Sequence, residues 1–493
     1  VAKTVGCNRI IKMPSEIFSY NIETEIPSNY LVSLLDFITQ KYILPQGKRF
    51  ANVSKTARDG LPSIVFSVND LEGRRVLNVE IEAGKPIIKV MIEKIDERLP
   101  EEGVSQIKED IIIAIELFEE RIRKSTLYFA WREGEEIIPE VHRKEKPINR
   151  IFLETQIFLS IGFLIFSLVL FSFLGWLTPI VLIGIQFIFV FYSSKIIAKS
   201  ADWQITESNP RIHLLMYHLP QEEHDRLGQE FSREKMMEIK KEIYAETLSK
   251  KGQIDCDIAQ KIFARHGFKC IPENLSTKIV NVYELVKKIA EKFGFPTPQI
   301  VVSNTMIPNA AASGPSPSRG VVLITTGLLV QLEEDEISSV LGHEFGHLKG
   351  RDPLLIYGLT ATEFLIRFYL IFPLFPYIFY SLNFFLYFWA VMTIIYFVSK
   401  FFEARADLIS AMVMGQPEVL AEALEKIGFR RLMYERIPSN RVQEWISLEP
   451  HPPIYFRANR LEKLDASARV NHPFLQSVKD VTKGFLVSIG LYK

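Results

Sequence analysis

The sequence predicts an α+β membrane protein with about four transmembrane helices, an N-terminal soluble α+β domain and a mostly α-helical remainder. Three observations carry this. Thr155 to Ser194 contains no charged residue. A second apolar block runs from Pro353 to Ser399 and is free of charge from Phe368 onward. The first 150 residues contain short Val- and Ile-rich runs separated by turn residues, the pattern of successive strands. Composition agrees: 36 phenylalanines and a mean hydropathy of +0.11, in a chain that is 24% charged, combine lipid-facing segments with ordinary soluble domains.

Residues 1–150 read as the soluble domain. Val1 to Lys12 has no long apolar run, so no cleavable secretory signal is expected there. Pro62–Val68, Val76–Glu82 and Ile87–Ile92 read as strands, with turns at Asn69–Gly73 and Ala83–Pro86. Glu101 to about Trp131 reads as one long helix, with apolar residues at Val104, Ile107, Ile111, Ile115, Phe118 and Ile122. Nothing here has a catalytic pattern, and a regulatory or docking role is expected.

Residues 151–199 read as a first transmembrane hairpin. The uncharged stretch is about twice the roughly 20 residues one helix needs to cross a bilayer, and Gly175–Pro179 breaks it in the middle. Residues 353–400 read as a second hairpin, broken around Pro373 to Asn383. Glu363 and Arg367 lie four apart on one helical face of its first arm, and a structural ion pair is the favoured reading. Lys and Arg flank both hairpins: Arg143, Lys144, Lys146, Arg150, Lys195 and Lys199 for the first, Lys349, Arg351, Lys400 and Arg405 for the second. The inter-helix turns have none, so all soluble parts are expected on the cytoplasmic side of a multi-pass protein.

Residues 200–352 and 401–493 are left to form the two parts of a catalytic domain. Residues 200–300 read as charged and largely helical. Val282 to Phe293 is amphipathic, with Val282, Leu285, Val286, Ile289 and Phe293 on one side. Gly294, Pro296 and Pro298 end that helix, and Gln299–Ser303 reads as a strand. Lys plus Arg and Asp plus Glu number 58 each, which gives no basis for a nucleic-acid partner. Cys7, Cys256 and Cys270 have no metal-type spacing, and so sparse a set suits a reducing compartment.

The chemistry concentrates at His343-Glu344-Phe345-Gly346-His347. Ile337, Val340, Leu341 and Leu348 fit a helix, and Glu333 to Glu336 place negative charge at its N-terminus, where the helix dipole favours it. His343 and His347 then project from one face and can share a zinc ion. Glu344 sits beside the metal without ligating it, placed to take a proton from bound water. Catalytic zinc normally has three protein ligands and one open position. Glu403 is the expected third ligand. Asp407, one helical turn on, is expected to accept from a ligating imidazole or to pair with an arginine. One zinc ion per chain is expected.

With these motifs the chain resembles the membrane zinc proteases that include the HtpX heat-shock proteases and the CAAX prenyl proteases, over about residues 150–465. Pro308 to Gly314 resembles the family's Asn-Ala-Phe-Ala stretch, with Ala311 where Phe is usual. Ile324 to Leu329 resembles the strand and turn before the active-site helix. Asp352 follows the second histidine as is usual there. Glu403 to Asp407 resembles the third-ligand motif, and His451-Pro452-Pro453 with Arg457 resembles its last motif. Phe456 stands where an acidic residue often precedes that arginine. The resemblance implies a zincin-type (gluzincin) catalytic domain. It implies that His451 donates to the oxyanion, that Arg457 pairs with Asp407 or orients substrate, and that Asn309, Ala310, Ala311 and Ala312 hold the substrate backbone by strand addition.

The expected activity is that of a zinc endopeptidase cleaving membrane or misfolded proteins near the cytoplasmic face, an HtpX-like quality-control role. Its partners would be membrane lipid and protein or peptide substrates. Maturation of lipidated C-termini is the nearest alternative; a latent or non-proteolytic membrane scaffold is another. An intramembrane protease of the site-2 type fits less well, because charges flank the motif on both sides. His213, His218 and His224 read as a solvated surface cluster, and His142, His266 and His472 carry no pattern.

Overall fold

The structure is a computed structural model that describes residues 16–58, 60–134, 156–220, 222–224, 232–250, 252–380, 382–464 and 470–492. The chain forms two compact units. One takes the chain through Thr126 together with His218–His224 and Ile271–Asn274; the other takes the rest.

The first unit is built on strands β1 (Glu16–Glu23), β2 (Phe50–Arg58), β3 (Leu61–Asn69), β4 (Arg75–Ala83) and β5 (Ile87–Lys94). They form one antiparallel sheet in the order β1-β5-β4-β3-β2. Alternation along β3 to β5 buries Ile64, Phe66, Val79, Ile81, Val90 and Ile92. Helices Leu31–Ile38 and Glu101–Lys124 complete this core, the second with the six apolar residues that the sequence places on one face. β2 escapes a reading by pattern because seven of its residues, Val53 among them, lie exposed along the sheet edge. The long helix is shorter than expected. It stops at Lys124, where the Ile122 carbonyl accepts from the hydroxyls of Ser125 (3.0 Å) and Thr126 (2.8 Å), and Thr126–Arg132 continues as strand β6. The Tyr, Phe and Trp of that run suit a strand better than a helix.

The second unit adds strands β7 (Trp203–Ile205), β8 (Arg211–His218), β9 (Leu275–Asn281), β10 (Gln299–Ser303), β11 (Ala310–Ser313) and β12 (Val321–Thr325). β6-β8-β9 form one sheet and β11-β12-β10-β7 another, with β10 and β12 parallel. The reading of residues 200–300 as largely helical is therefore corrected: β8 and β9 lie within them. So is the surface reading of the histidines, because His213 and His218 are buried on β8. Helix Val282–Phe293 is as expected. The Asn281 side chain caps it by accepting from Glu284 N–H at 3.1 Å, and Gly294 closes it at φ +73°. Its apolar face packs with Leu341, Phe345 and Leu348 of helix Glu334–Gly350 in one core.

Among the described residues three stretches are long and apolar enough to cross a membrane: Ile165–Ser200, Asp352–Leu374 and Leu382–Met414. Four spans are not confirmed. The first block breaks where expected, between helices Gln156–Leu174 and Thr178–Ser200, with Gly175 at φ +51°, but only its part from Ile165 onward has described side chains. Rings from both blocks interlock: Phe368 meets Phe171 and Trp176 at centroid distances of 6.2 and 5.2 Å. Glu363 and Arg367 form the expected ion pair (2.9 and 3.1 Å), joined by the Tyr387 hydroxyl at 3.2 Å. Of the flanking cations, Arg143, Lys144, Lys146 and Arg150 lie outside the described residues. Lys400 and Arg405 are buried inside the protein rather than presented to a membrane surface.

Candidate metal centre and active site

Helix Glu334–Gly350 carries the first two ligands. A reciprocal capping box starts it, in which Glu336 accepts from Glu333 N–H at 2.9 Å. Glycines at 342 and 346 let helix Leu382–Met414 approach closely: a Cβ on Gly346 would lie 2.9 Å from Ala406 Cα. That approach brings Glu403 and Asp407 to the histidines.

The three expected ligands converge. His343 Nε2 and His347 Nε2 are 3.1 Å apart, and each is 3.4 Å from a Glu403 carboxylate oxygen. Bonds of about 2.0–2.1 Å to a tetrahedral zinc ion require ligand atoms roughly 3.3 Å apart, so the donor set fits the metal. The ring orientations fit it too. His343 Nδ1 faces Asp407 Oδ1 at 2.8 Å and His347 Nδ1 faces Asp352 Oδ2 at 2.7 Å. Each Nδ1 thus faces a carboxylate oxygen, which leaves Nε2 as the atom that each ring can turn to a metal ion once its proton is displaced.

Each carboxylate is backed by an arginine. Asp407 accepts a bidentate pair from Arg457 at 2.8 and 2.6 Å, and Asp352 accepts from Arg405. Burial works against charge on His343, but the Asp407 carboxylate and the hydrogen bonds to Asp407 and Glu403 prevail and push its pKa up to about 10 without metal. His347 is also raised: burial opposes charge, and Glu403 and Asp352 outweigh it.

Glu344 does not join the ligands. Its Oε2 accepts from the Ala312 N–H at 2.9 Å. Ala310, Ala311 and Ala312 lie on β11, an edge of its sheet, paired to Ile324, Leu323 and Val322. Residues alternate in an antiparallel pair, so Ala310 and Ala312 turn their backbone groups away from β12, toward the free edge. Asn309 precedes the strand and is tied to Thr325, donating its N–H to Oγ1 at 2.9 Å and accepting from the Thr325 N–H at 3.1 Å. His451 Nε2 lies 3.6 Å from Glu403 Oε2.

Sequence reasoning missed several neighbours. Arg405 was legible only as a charge flanking a hydrophobic block, and its partner Asp352 is 53 residues away. Lys400, Arg431, Glu435 and Glu449 hold the His451 segment and have no spacing that announces it. The three candidate ligands are the metal-competent group found among the described residues; His213, His218 and His224 form none.

Residues 277–465 match Peptidase family M48. A protein named Protease HtpX homolog 2 from Methanosarcina acetivorans is 32% identical over 186 residues, 33% of this chain and 59% of the relative. A Protease HtpX homolog from Gemmatimonas aurantiaca is 28% identical over 228 residues, 38% of this chain and 76% of that protein. The chain thus spans little more than half of the first relative, and only 34% of a Protease HtpX homolog from Thermodesulfovibrio yellowstonii. The crystal structure of S. mikatae Ste24p is 19% identical, with a TM-score of 0.30 over 36% of this chain and 49% of that one; so low a score does not establish a common overall fold. The likeness to HtpX-type proteases read from the motifs is shown for this segment.

Proposed function

We propose that the chain is a membrane-embedded, zinc-dependent endopeptidase that cleaves membrane or misfolded proteins at the cytoplasmic face. The observation that carries the reading is the convergence of His343, His347 and Glu403, with Glu344 beside them and free of the ligand set. The match to a peptidase family and the HtpX-type relatives support it, as do the three apolar stretches. Uncharged inter-helix turns and flanking Lys195, Lys199, Lys349 and Arg351 support the cytoplasmic orientation.

Zinc held by His343, His347 and Glu403 would polarise the scissile carbonyl and acidify a bound water. The rest falls to the chain's own groups. The outward backbone of Ala310 and Ala312 pairs with an extended substrate, and small side chains on β11 let it approach. That pairing takes up the Ala312 N–H and releases the Glu344 carboxylate to accept the water's proton, which it then passes to the leaving amine. His451 donates from Nε2 to the developing oxyanion. Asp407 and Asp352 fix the ligating rings, and Arg457 and Arg405 fix those carboxylates.

The test is cleavage of casein or a membrane protein in detergent, with and without chelator, by wild type and Glu344→Gln. Metal-dependent cleavage that falls by a factor on the order of 10² to 10⁴ in the variant, with zinc still bound, is expected. Equal activity in both, or inactivity in both with zinc bound, would sink the proposal.

A further inference from the structure

The segment carrying His451 is held more tightly than a loop needs. Pro450, Pro452 and Pro453 surround it, so Glu449 and His451 each precede a proline and have a narrowed range of backbone conformations. Lys400, fully buried, donates to the Glu449 carbonyl. Arg431 donates to the His451 carbonyl at 3.1 Å and is itself clamped by Glu444 at 2.7 Å. The Glu435 carboxylate, wholly buried, accepts from the N–H groups of Ile454 (2.9 Å) and Tyr455 (3.0 Å) just beyond. The chain bends at Pro450 and His451, and the two side chains meet: Glu449 Oε1 lies 3.2 Å from His451 Nδ1. The ring's other nitrogen points at the metal ligands.

We propose that Glu449 is a positioning residue of this site, whose carboxylate accepts a hydrogen bond from His451 Nδ1–H and aims Nε2 toward the reacting carbonyl, on a backbone locked by Lys400 and Arg431. The inference rests on the oxyanion role proposed for His451. An imidazole has two nitrogens and two ring faces, and a half-exposed ring with no partner samples them all. The acceptor at Nδ1 fixes one ring orientation, so that in a ring carrying a proton on both nitrogens the Nε2–H is aimed before the oxyanion forms. The His451 hydrogen bond, and beyond it Arg431 and Lys400, keep the Glu449 carboxyl below its ordinary range, and so an acceptor at neutral pH. A carboxylate likewise faces Nδ1 of each zinc-facing histidine, but here it serves a histidine outside the ligand set, whose Nε2 carries a proton rather than a lone pair to a metal.

Glu449 is half-exposed, so replacing it should not unfold the protein. Glu449→Leu, Glu449→Gln, His451→Ala and the double variant Glu449→Leu/His451→Ala are compared on one fluorogenic casein-derived peptide. Each is also titrated with a phosphinic peptide of the same sequence, whose tetrahedral oxygens mimic the hydrated carbonyl. Glu449→Leu is expected to lower kcat about tenfold, the scale of losing a histidine's orienting partner, with KM unchanged. Its affinity for the phosphinic peptide should fall by a similar factor. Glu449→Gln, which keeps an acceptor oxygen, should recover most of both, and Glu449→Leu should add nothing once His451 is alanine. Wild-type kcat in Glu449→Leu, or an undiminished loss in the His451→Ala background, overturns the proposal while leaving the protease reading intact. If His451→Ala itself keeps wild-type kcat, the oxyanion role falls and this proposal with it. Activity that survives chelation or Glu344→Gln is the separate signature of a failed protease reading.

Discussion

Gly346→Ala tests whether helix contact sets the metal geometry. Gly346 lies between the two zinc-facing histidines and packs on Ala406, which lies between Glu403 and Asp407. A Cβ there would meet Ala406 Cα at 2.9 Å, its carbonyl oxygen at 3.0 Å and its Cβ at 3.2 Å. Two of these are backbone atoms and cannot rotate away. Ordinary carbon contacts begin near 3.5 Å, so the helices must part by roughly 0.6 Å. Metal sites tolerate distance errors of about 0.2 Å. Overpacking of this kind costs about 1–3 kcal/mol, and the gain in helix propensity from glycine to alanine returns about 1. The metal-free protein should therefore lose at most about 2 kcal/mol, while zinc affinity falls by at least about tenfold, since Glu403 is carried away from the histidines. Thermal melting in detergent across a zinc titration reads both, because bound zinc raises stability by mass action. Gly358→Ala, which adds a Cβ with no neighbour within 4 Å, is the control and should behave as wild type. A Gly346→Ala protein with wild-type zinc affinity would refute the argument that this contact positions Glu403.

Three further outcomes are expected. Zinc binding should release about one to two protons per ion at pH 7, because without metal the His343 pKa lies at about 10 and that of His347 is raised; apparent affinity should then weaken as pH falls, as calorimetry in buffers of different ionisation enthalpy would record. Arg457→Met leaves the Asp407 carboxylate buried without its bidentate partner and should cost about 3–5 kcal/mol in a melting experiment, more than Arg457→Lys. Replacing Glu363 or Arg367 alone by an apolar residue should destabilise strongly, whereas replacing both should be nearly neutral; a double-mutant cycle in detergent checks this.

Much of the site was legible because its parts are local. His343, His347 and Glu344 are fixed by helix period alone, as is the pairing of Glu403 with Asp407 one turn apart. The sheet of the first unit was partly legible for the same reason: β5 and most of β4 alternate between a buried and a more open face, β3 is a Val- and Ile-rich run buried on both sides over Phe66–Val68, and β2 has neither pattern. The end of helix Glu101–Lys124 was not, because the apolar period runs on into Thr126–Arg132 and only the competing hydroxyl bonds to the Ile122 carbonyl show where it stops.

By itself the sequence determined which residues could ligate a metal, where the chain is apolar enough to enter a membrane, and the resemblance to HtpX-type proteases. The resemblance already offered Arg457 as a partner for Asp407; tertiary structure decided between that and substrate contact, and supplied the partners that no motif names. Asp407 meets Arg457 across 50 positions, Asp352 meets Arg405 across 53, and Lys400 reaches the Glu449 carbonyl across 49. It also turned Lys400 and Arg405 from flanking charges into buried partners, and His213 and His218 from surface groups into core. Helical and strand periods are properties of neighbouring residues and can be read along the chain. A buried charge finds its partner through the packing of distant helices, and no period in the sequence encodes that distance.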